Sequence, residues 1–255
     1  MQTPPISQAE IEARIGGHLD ELLALWWAEQ GACKPRDLEL IASVLPFLRS
    51  EAIRVLDLCC GPGDVGRAIR REYPKSEIDG VDRDPFLTSI CREVNRRDRI
   101  PGKIVVHDLN DDGWQSELQW GYHVVATVNA LHWFDALHAE RLLKDVHGLL
   151  RDGGIFVFAE PASAEPAFVK GFEAWKARQP QRYSQENWQR FWSRANALLG
   201  YDHIKLLGPR NADRIEDDLS VADWIGLVER AGLKLIDVLL RDADQVIIAS
   251  LKSTP

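Results

Sequence analysis

A cluster of glycines after an acidic residue, near position 60, has the residue types and spacing to bind a nucleotide-like ligand. Residues 55–66 read VLDLCCGPGDVG, and their first four positions are apolar enough for a strand buried on both faces. Gly61, Gly63 and Gly66 then lead into a segment with helical spacing. Glycines between a strand and a helix let free backbone amides approach a ligand closely. The sequence therefore predicts a nucleotide-type cradle.

Two ligands fit this cradle. Residues 61–66 satisfy the G-x-G-x-x-G pattern of dinucleotide binding, which by itself is weak evidence. Asp57 points to a different ligand, because a carboxylate buried near a strand end must be hydrogen-bonded or must face a cation. It either braces the loop or receives a cationic group. S-adenosylmethionine (SAM) carries an ammonium and a sulfonium group, and its carboxylate suits amide donors.

At these residues the chain resembles the class I SAM-dependent methyltransferases, whose first motif reads roughly D-x-G-x-G-x-G. Asp57, Gly61 and Gly63 match the motif, while Cys59 stands in place of its first glycine. The resemblance covers residues 54–161 well and the C-terminal residues moderately. It implies SAM as the cofactor and S-adenosylhomocysteine as its product.

The composition is that of an ordinary globular protein, 45% apolar and 27% charged over 255 residues. A net charge of -8 argues against a nucleic-acid partner. The chain shows no basic or apolar leader and no apolar run of membrane-spanning length. Four scattered cysteines without C-x-x-C spacing indicate a reducing cytoplasm and predict no metal site. We expect a cytoplasmic monomer or homodimer that acts on a small molecule, away from membranes.

Alternating apolar strands and helical patterns predict an α/β fold with a doubly wound, mostly parallel sheet. The predicted strands are 55–58, 78–81, 104–106, 124–128, 155–159, 233–240 and 245–251. The last two are separated by a turn too short for a parallel crossover, so they must be antiparallel neighbours. A parallel sheet ending in a β-hairpin resembles the seven-stranded class I methyltransferase fold, and it differs from the six-stranded dinucleotide fold.

Four segments are predicted along the chain. Residues 1–50 form N-terminal cap helices, over 8–29 and from 37 to 46, and residues 51–161 form the SAM-binding core. Residues 162–219 form a helical lid or acceptor insertion, because a connection this long after the fifth strand must carry structure or function. Within it, Ser184 caps a helix that ends at Gly200. Residues 220–255 supply a helix and the hairpin that completes the sheet.

Polar residues end four successive predicted strands, at the edge where open α/β sheets bind ligands. Asp82 could accept both ribose hydroxyls of SAM, or of NAD, although it could also cap a helix, a role that Asp84 fills better. The resemblance assigns the adenine amino group to Asp108 and an adenine contact to the Leu109 amide, whereas a turn-forming role would also explain Asp108. The predicted cofactor-binding residues are Asp57, Cys59, Gly61, Gly63, Asp82, Arg83, Asp108, Leu109 and Asn129.

Methyl transfer from a sulfonium is an in-line displacement, so positioning and exclusion of water supply most of the acceleration. A hydroxyl acceptor needs a base, whereas a carboxylate acceptor needs none. His132 is the candidate base, since it follows the fourth strand and has a suitable intrinsic pKa, and a structural role beside Trp133 is the alternative. His18 is a weaker candidate. Aromatic residues that could line the acceptor pocket, or simply pack in the core, are Trp27, Trp133, Tyr183, Trp188 and Trp192.

The residues and the resemblance together predict a SAM-dependent methyltransferase that acts on a small molecule. The expected methyl acceptor is an oxygen atom, in a hydroxyl or a carboxylate. Residues 129–134, NALHWF, also resemble relatives that methylate small carboxylic acids. An NAD(P)-dependent oxidoreductase is the first alternative, disfavoured by Asp57, Asp108 and the terminal hairpin. A non-catalytic SAM-binding accessory subunit is the second, because methyl transfer requires so few catalytic side chains.

Overall fold

The computed structural model describes residues 5–30, 33–165, 167–178, 184–208, 219–242 and 245–253, which build one seven-stranded sheet with helices packed against it. The strands are β1 (Arg54–Leu58), β2 (Glu77–Asp82), β3 (Ile104–Val106), β4 (Tyr122–Val128), β5 (Leu150–Pro161), β6 (Leu233–Arg241) and β7 (Gln245–Lys252). The helices are α1 (Gln8–Gly16), α2 (Leu19–Gln30), α3 (Cys33–Ser43), α4 (Asp64–Glu72), α5 (Pro85–Asp98), α6 (Ala136–Leu149), α7 (Val169–Lys176), α8 (Gln185–Leu199), α9 (His203–Leu207) and α10 (Val221–Arg230).

The strand order is β3-β2-β1-β4-β5-β7-β6. Strands β1 to β5 pair in parallel, β7 runs antiparallel to β5, and β6 runs antiparallel to β7. The predicted fold class is therefore confirmed, including the hairpin that ends the sheet. Its short turn forces β6 and β7 to be antiparallel neighbours. In the observed order β7 lies between β5 and β6.

Both faces of the sheet are buried under helices. Successive residues of its central strands point to opposite faces and so belong to different apolar clusters. On β1, Leu56 belongs to one apolar cluster and Val55 to the other, and Val125 and Val124 divide in the same way on β4. Helices α6 and α10 cover the first face, whereas α3 and α4 cover the second. This burial explains why the strands appear in the sequence as continuous apolar runs.

The N-terminal helices differ from the prediction in their bounds. The single helix predicted over 8–29 is broken at Gly17, where the chain turns before α2 begins. The helix predicted from residue 37 begins instead at Cys33, because Pro35 is tolerated within the first turn of a helix. None of the helices that the structure describes is long and apolar enough to cross a bilayer.

The helix predicted after Ser184 is confirmed as α8. The Ser184 side chain accepts a hydrogen bond from the Asn187 amide, and Gly200 ends the helix in a left-handed conformation. Its apolar face packs against α2 and α5, with the rings of Phe191 and Trp26 5.2 Å apart in an edge-on contact. Part of the segment that follows β5 thus shares one core with the N-terminal helices. The division of the chain into four segments stays a prediction.

Tyr122 provides a stability test far from the ligand-binding edge. At the amino end of β4, its hydroxyl donates to Asp79 Oδ2 at 2.6 Å, and both side chains are buried. Tyr122→Phe should lower the free energy of unfolding by about 1–3 kcal/mol, because one oxygen of a buried carboxylate loses its donor.

Tyr73→Phe is the matched control, since the Tyr73 hydroxyl, equally buried, donates only to the neutral Leu45 carbonyl at 2.6 Å. It should cost about 0.5–1.5 kcal/mol. Urea unfolding with equal m-values measures both, and an equal cost for the two variants would contradict the assignment.

Candidate active site

The carboxyl ends of the parallel strands bring several acidic side chains to one edge of the sheet. Asp57 precedes the last residue of β1, Asp82 ends β2, and Glu160 lies next to the end of β5. Cys59, directly after β1, lies among these carboxylates: burial, and then the charges of Asp82 and Glu160, raise the pKa of its thiol. The thiol therefore stays protonated and is a poor nucleophile.

The glycine-rich loop has the geometry that the motif requires. Gly63 precedes α4 with a φ of 84°, and an added Cβ atom would lie 2.7 Å from the Cys91 sulfur. Only glycine fits this position without strain. Cys59 has a φ of 52°, so a residue with a side chain occupies the left-handed region where the motif has its first glycine. Such strain costs about 1–2 kcal/mol and is characteristic of functional sites.

Asp57 stabilises the loop through one carboxylate oxygen and leaves the other oxygen available to a ligand. Its Oδ2 accepts a hydrogen bond from the Gly66 amide at 2.9 Å. Its Oδ1 is buried and has no hydrogen-bond partner within the part of the chain that the structure describes. Burial raises the pKa of this carboxyl well above its usual range. A ligand that carries a hydrogen-bond donor or a positive charge would satisfy the free oxygen.

Asp82 joins the loop to the start of α5. Its Oδ2 accepts from the Gly61 amide and its Oδ1 from the Asp84 amide, both at 2.9 Å. Asp84 is the N-cap of α5, as predicted, so that role does not account for Asp82. Burial and the neighbouring charge of Asp84 raise the pKa of Asp82 to about 6. Each carboxylate oxygen still has a lone pair for a ligand hydroxyl.

Asp108 forms a turn and faces the neighbouring strand end. Its Oδ1 accepts from the backbone amide and the side chain of Asn110, at 3.0 and 2.9 Å. Its Oδ2 lies 3.6 Å from the Arg83 guanidinium, and Leu109 beside it is buried. The turn therefore accounts for Oδ1 of Asp108, while Oδ2 faces Arg83.

Asn129 lies directly after β4 in a left-handed conformation with a φ of 56°. Its side-chain oxygen accepts from Gln245 Nε2 at 3.2 Å. The structure therefore uses this amide to connect the end of β4 to the start of β7. Gln245, which is almost fully buried, was not recognised as part of the site from the sequence.

Side chains of the N-terminal helices α2 and α3 contact the start of α4, directly after the glycine loop. Trp26 Nε1 donates to Asp64 Oδ2 at 2.7 Å, and Lys34 Nζ lies 3.2 Å from the same oxygen. Arg67 pairs with the other oxygen of Asp64. Burial disfavours ionisation of Asp64, but Lys34 and Arg67 outweigh it and hold the pKa of this carboxyl below its usual range. This contact was not predicted, because Trp26 and Asp64 are 38 residues apart in the sequence and no local pattern links them.

A histidine and a glutamate form a buried pair at the ends of β4 and β5. His132 Nδ1 lies 2.7 Å from Glu160 Oε2, and the Glu160 side chain is fully buried. The Ala130 and Leu131 amides donate to Glu160 Oε1 at 2.7 and 2.8 Å. A carboxylate at Nδ1 selects the tautomer that leaves Nε2 free to accept a proton. Glu160 was missed because the fifth strand was predicted to end at residue 159, although an acid after such an apolar run was a usable signal.

The other predicted residues lie in varied surroundings. His18 pairs with Glu21 and Arg194 on the surface, so the structure does not bring it to the strand ends. Trp133 lies against His132 with ring centroids 4.5 Å apart.

The remaining predicted aromatics pack between elements. Trp27 is half-buried between two apolar clusters, and Trp188 packs edge-on against the buried Trp192 with ring centroids 5.4 Å apart. The prediction for Tyr183 lies outside the described residues.

Comparisons with known proteins agree with this fold. Residues 55–154 match the family model described as a methyltransferase domain. A candidate O-methyltransferase from Nostoc punctiforme is 19% identical, with a TM-score of 0.55 over 85% of this chain and 56% of the other. The CurJ carbon methyltransferase is 18% identical, with a TM-score of 0.55 over 85% of this chain and 54% of the other. The PH0226 protein from Pyrococcus horikoshii is 14% identical, with a TM-score of 0.57 over 86% and 90%.

The chain spans about half the length of the first two of these proteins. A comparison with curated proteins finds no match. At these identities the structural likeness establishes the fold, and the match to the family model covers residues 55–154 of the 255.

The raised pKa of Asp82 predicts a pH-dependent stability. An acid with a higher pKa in the folded chain binds more protons when folded, so its contribution is full below about pH 4 and is lost as the pH rises towards 6. Between these values the difference in unfolding free energy between wild type and Asp82→Ala should fall by roughly 1–3 kcal/mol. Urea titrations at each pH measure this difference, and a constant value would refute the assigned shift.

Proposed function

We propose that the methyltransferase domain of this chain, residues 55–154 in a class I fold, transfers a methyl group from SAM to an oxygen atom of a small molecule. The observation that carries the proposal is the buried His132–Glu160 pair, held at the same edge of the sheet as the acidic cradle. A cradle alone would bind a cofactor, but an oriented histidine beside it adds a group that can deprotonate an acceptor.

The residues of the cradle fit SAM. The unsatisfied oxygen of Asp57 suits a donor or a positive charge, and the SAM ammonium supplies both. Asp82 can receive the ribose hydroxyls, and Asp108 Oδ2 can receive the adenine amino group, with Leu109 beside it. Cys59, in a left-handed conformation, lies two residues before Gly61 of the same loop. SAM supplies an electrophilic methyl group on a sulfonium.

The protein then acts mainly on the acceptor. His132 Nε2 would take the proton of an acceptor hydroxyl, and SAM held in the cradle would supply the methyl group for the resulting oxygen. Glu160 stabilises the imidazolium that results and keeps the ring in the required tautomer. A carboxylate acceptor would not need this step, so a strong dependence on His132 distinguishes a hydroxyl from a carboxylate.

Burial of the site assists the same reaction. Trp26 lies across the glycine loop, with its Cζ2 atom 3.8 Å from the position of a Cβ atom added at Gly61. Trp133 packs beside His132. These aromatic side chains would exclude water from the reacting atoms and strengthen the attraction between the carboxylates and the positively charged SAM.

Two earlier alternatives are less well supported. The antiparallel β7, between β5 and β6, departs from the all-parallel dinucleotide fold, which weakens the case for an NAD(P)-dependent oxidoreductase. An accessory subunit without catalysis would not need a buried glutamate aligned on a histidine. We retain the expectation of a cytoplasmic monomer or homodimer as part of the proposal.

Cofactor binding is the first test. The protein should bind SAM with a dissociation constant in the micromolar range and should not bind NAD. Asp82→Ala should weaken SAM binding by about 1–3 kcal/mol, because the hydrogen bonds to ribose are lost. Isothermal calorimetry measures both ligands, with Asp112→Ala, an exposed acid paired to Arg141, as the control. Tighter binding of NAD than of SAM would select the oxidoreductase.

The second test addresses the base. His132→Ala should lower kcat with hydroxyl acceptors by about a hundredfold or more, while the SAM dissociation constant stays within about twofold. Glu160→Gln should also lower kcat, because the neutral amide no longer stabilises the imidazolium. His147→Ala, at the last turn of α6, is the control. Full turnover in His132→Ala would make this histidine structural.

A further inference from the structure

A groove of about 380 Å³ is lined by residues that have no role in the mechanism above. Its walls come from α7 and from the end of β6 with the turn that follows. The lining residues are Phe168, Gly171, Phe172, Trp175, Arg241 and Asp242. A volume of this size is within the range of small-molecule sites, roughly 300–1,000 Å³.

Three aromatic rings form one wall of this α7 groove. Phe168, Phe172 and Trp175 are spaced four and three residues apart, so they lie on one face of the helix. Phe168 is 63% exposed and Trp175 is 38% exposed. Single exposed apolar residues are common, but a continuous apolar face next to a cleft is typical of a binding surface.

Arg241 forms a rigid floor for the groove. Its guanidinium donates to the Ala162 and Ser163 carbonyls, at 3.1 Å each, and lies 5.5 Å from the centre of the Phe172 ring. Asp242, at the rim, is paired with Arg36 at 3.1 Å. Both polar groups are already paired within the protein, and the Arg241 guanidinium lies over the Phe172 ring on the wall that the aromatic residues form. Such a surface suits a flat π-system.

The pairing register relates this groove to the histidine–glutamate pair. Val246 on β7 pairs with Glu160 on one side and with Arg241 on the other. Arg241 therefore lies level with Glu160, two strand spacings away, which is about 10 Å. Gln245, the neighbour of Val246, bonds to Asn129 at the end of β4. A ligand that extends about 10 Å from the groove along this edge would therefore reach the level of Glu160.

We propose that the α7 groove binds the body of the methyl acceptor and that this acceptor is a planar aromatic molecule of more than one ring, with its hydroxyl directed to His132. The proposal rests on the proposed function for the identity of the reaction. The binding of a flat aromatic molecule in the groove is a separate property, which can be measured without SAM.

The test uses the full chain and the hydroxycoumarin umbelliferone, a planar, fluorescent, two-ring phenol, as the probe. Phe172→Ala and Trp175→Ala should each weaken its binding by about fivefold to tenfold, because a ring contact is lost. Trp120→Ala is the matched control, since Trp120 is 63% exposed but precedes β4 at the opposite edge of the sheet. It should change the affinity by less than about twofold. Fluorescence titration in the absence of SAM measures all four proteins.

Thermal unfolding of each variant checks that it is folded; the exposure of Trp175 keeps at least that variant usable. Absence of umbelliferone binding, or equal affinity in the groove variants and the control, overturns the proposal. A wild-type dimer that dissociates in Phe172→Ala, without an effect on umbelliferone, assigns the face to a second copy of the chain and also overturns it.

The same set of variants separates this proposal from the proposed function. Calorimetry that shows SAM binding without umbelliferone binding retains the methyltransferase and rejects the groove. Umbelliferone binding that depends on Phe172, without SAM binding, does the reverse. If both ligands bind, the groove variants should raise the KM for umbelliferone by about fivefold or more while kcat stays within about twofold.

Discussion

Everything at the ligand-binding edge depends on one constraint: a carboxylate buried at the end of a strand must find hydrogen-bond donors. Asp57 finds one in the Gly66 amide, Asp82 finds two in the loops on either side of it, and Glu160 finds two at the start of the segment after β4. In each case the acid fixes the backbone that lies opposite. The loops that would hold the cofactor and the acceptor are positioned by these acids.

This constraint also explains why the acids remain available for chemistry. Backbone amides donate along fixed directions and occupy only some of the lone pairs of a carboxylate. Among the residues that the structure describes, none bonds to the second, buried oxygen of Asp57, and Glu160 retains Oε2 for the histidine ring. The same groups that hold the structure together can therefore bind a charged or polar ligand. Their raised pKa values, at Asp57 and Asp82, are the electrostatic cost of burial before such a ligand is present.

The helices that cover the edge are attached by the same kind of contact. Trp26 on α2 donates to Asp64 at the start of α4. His203 on α9 lies 2.8 Å from Asp84, the cap of α5. Helices from two distant parts of the chain thus contact acids at the N-termini of the two helices that flank the cradle. Helices α2 and α8 also share an apolar core. The helices that contact Asp64 and Asp84 are therefore connected to each other by packing.

The sequence by itself determined the fold class, because burial on both faces makes parallel strands appear as apolar runs and the short turn near residue 242 allows only an antiparallel hairpin. It also marked the glycine loop and Asp57, since both have a local signature. It did not reveal Glu160 as the partner of His132 or Asp64 as the partner of Trp26. His132 and Glu160 are 28 residues apart in the sequence, and Trp26 and Asp64 are 38 residues apart. No local sequence pattern encodes contacts over these separations. Only the order of the strands and the packing of the helices bring such groups within hydrogen-bonding distance.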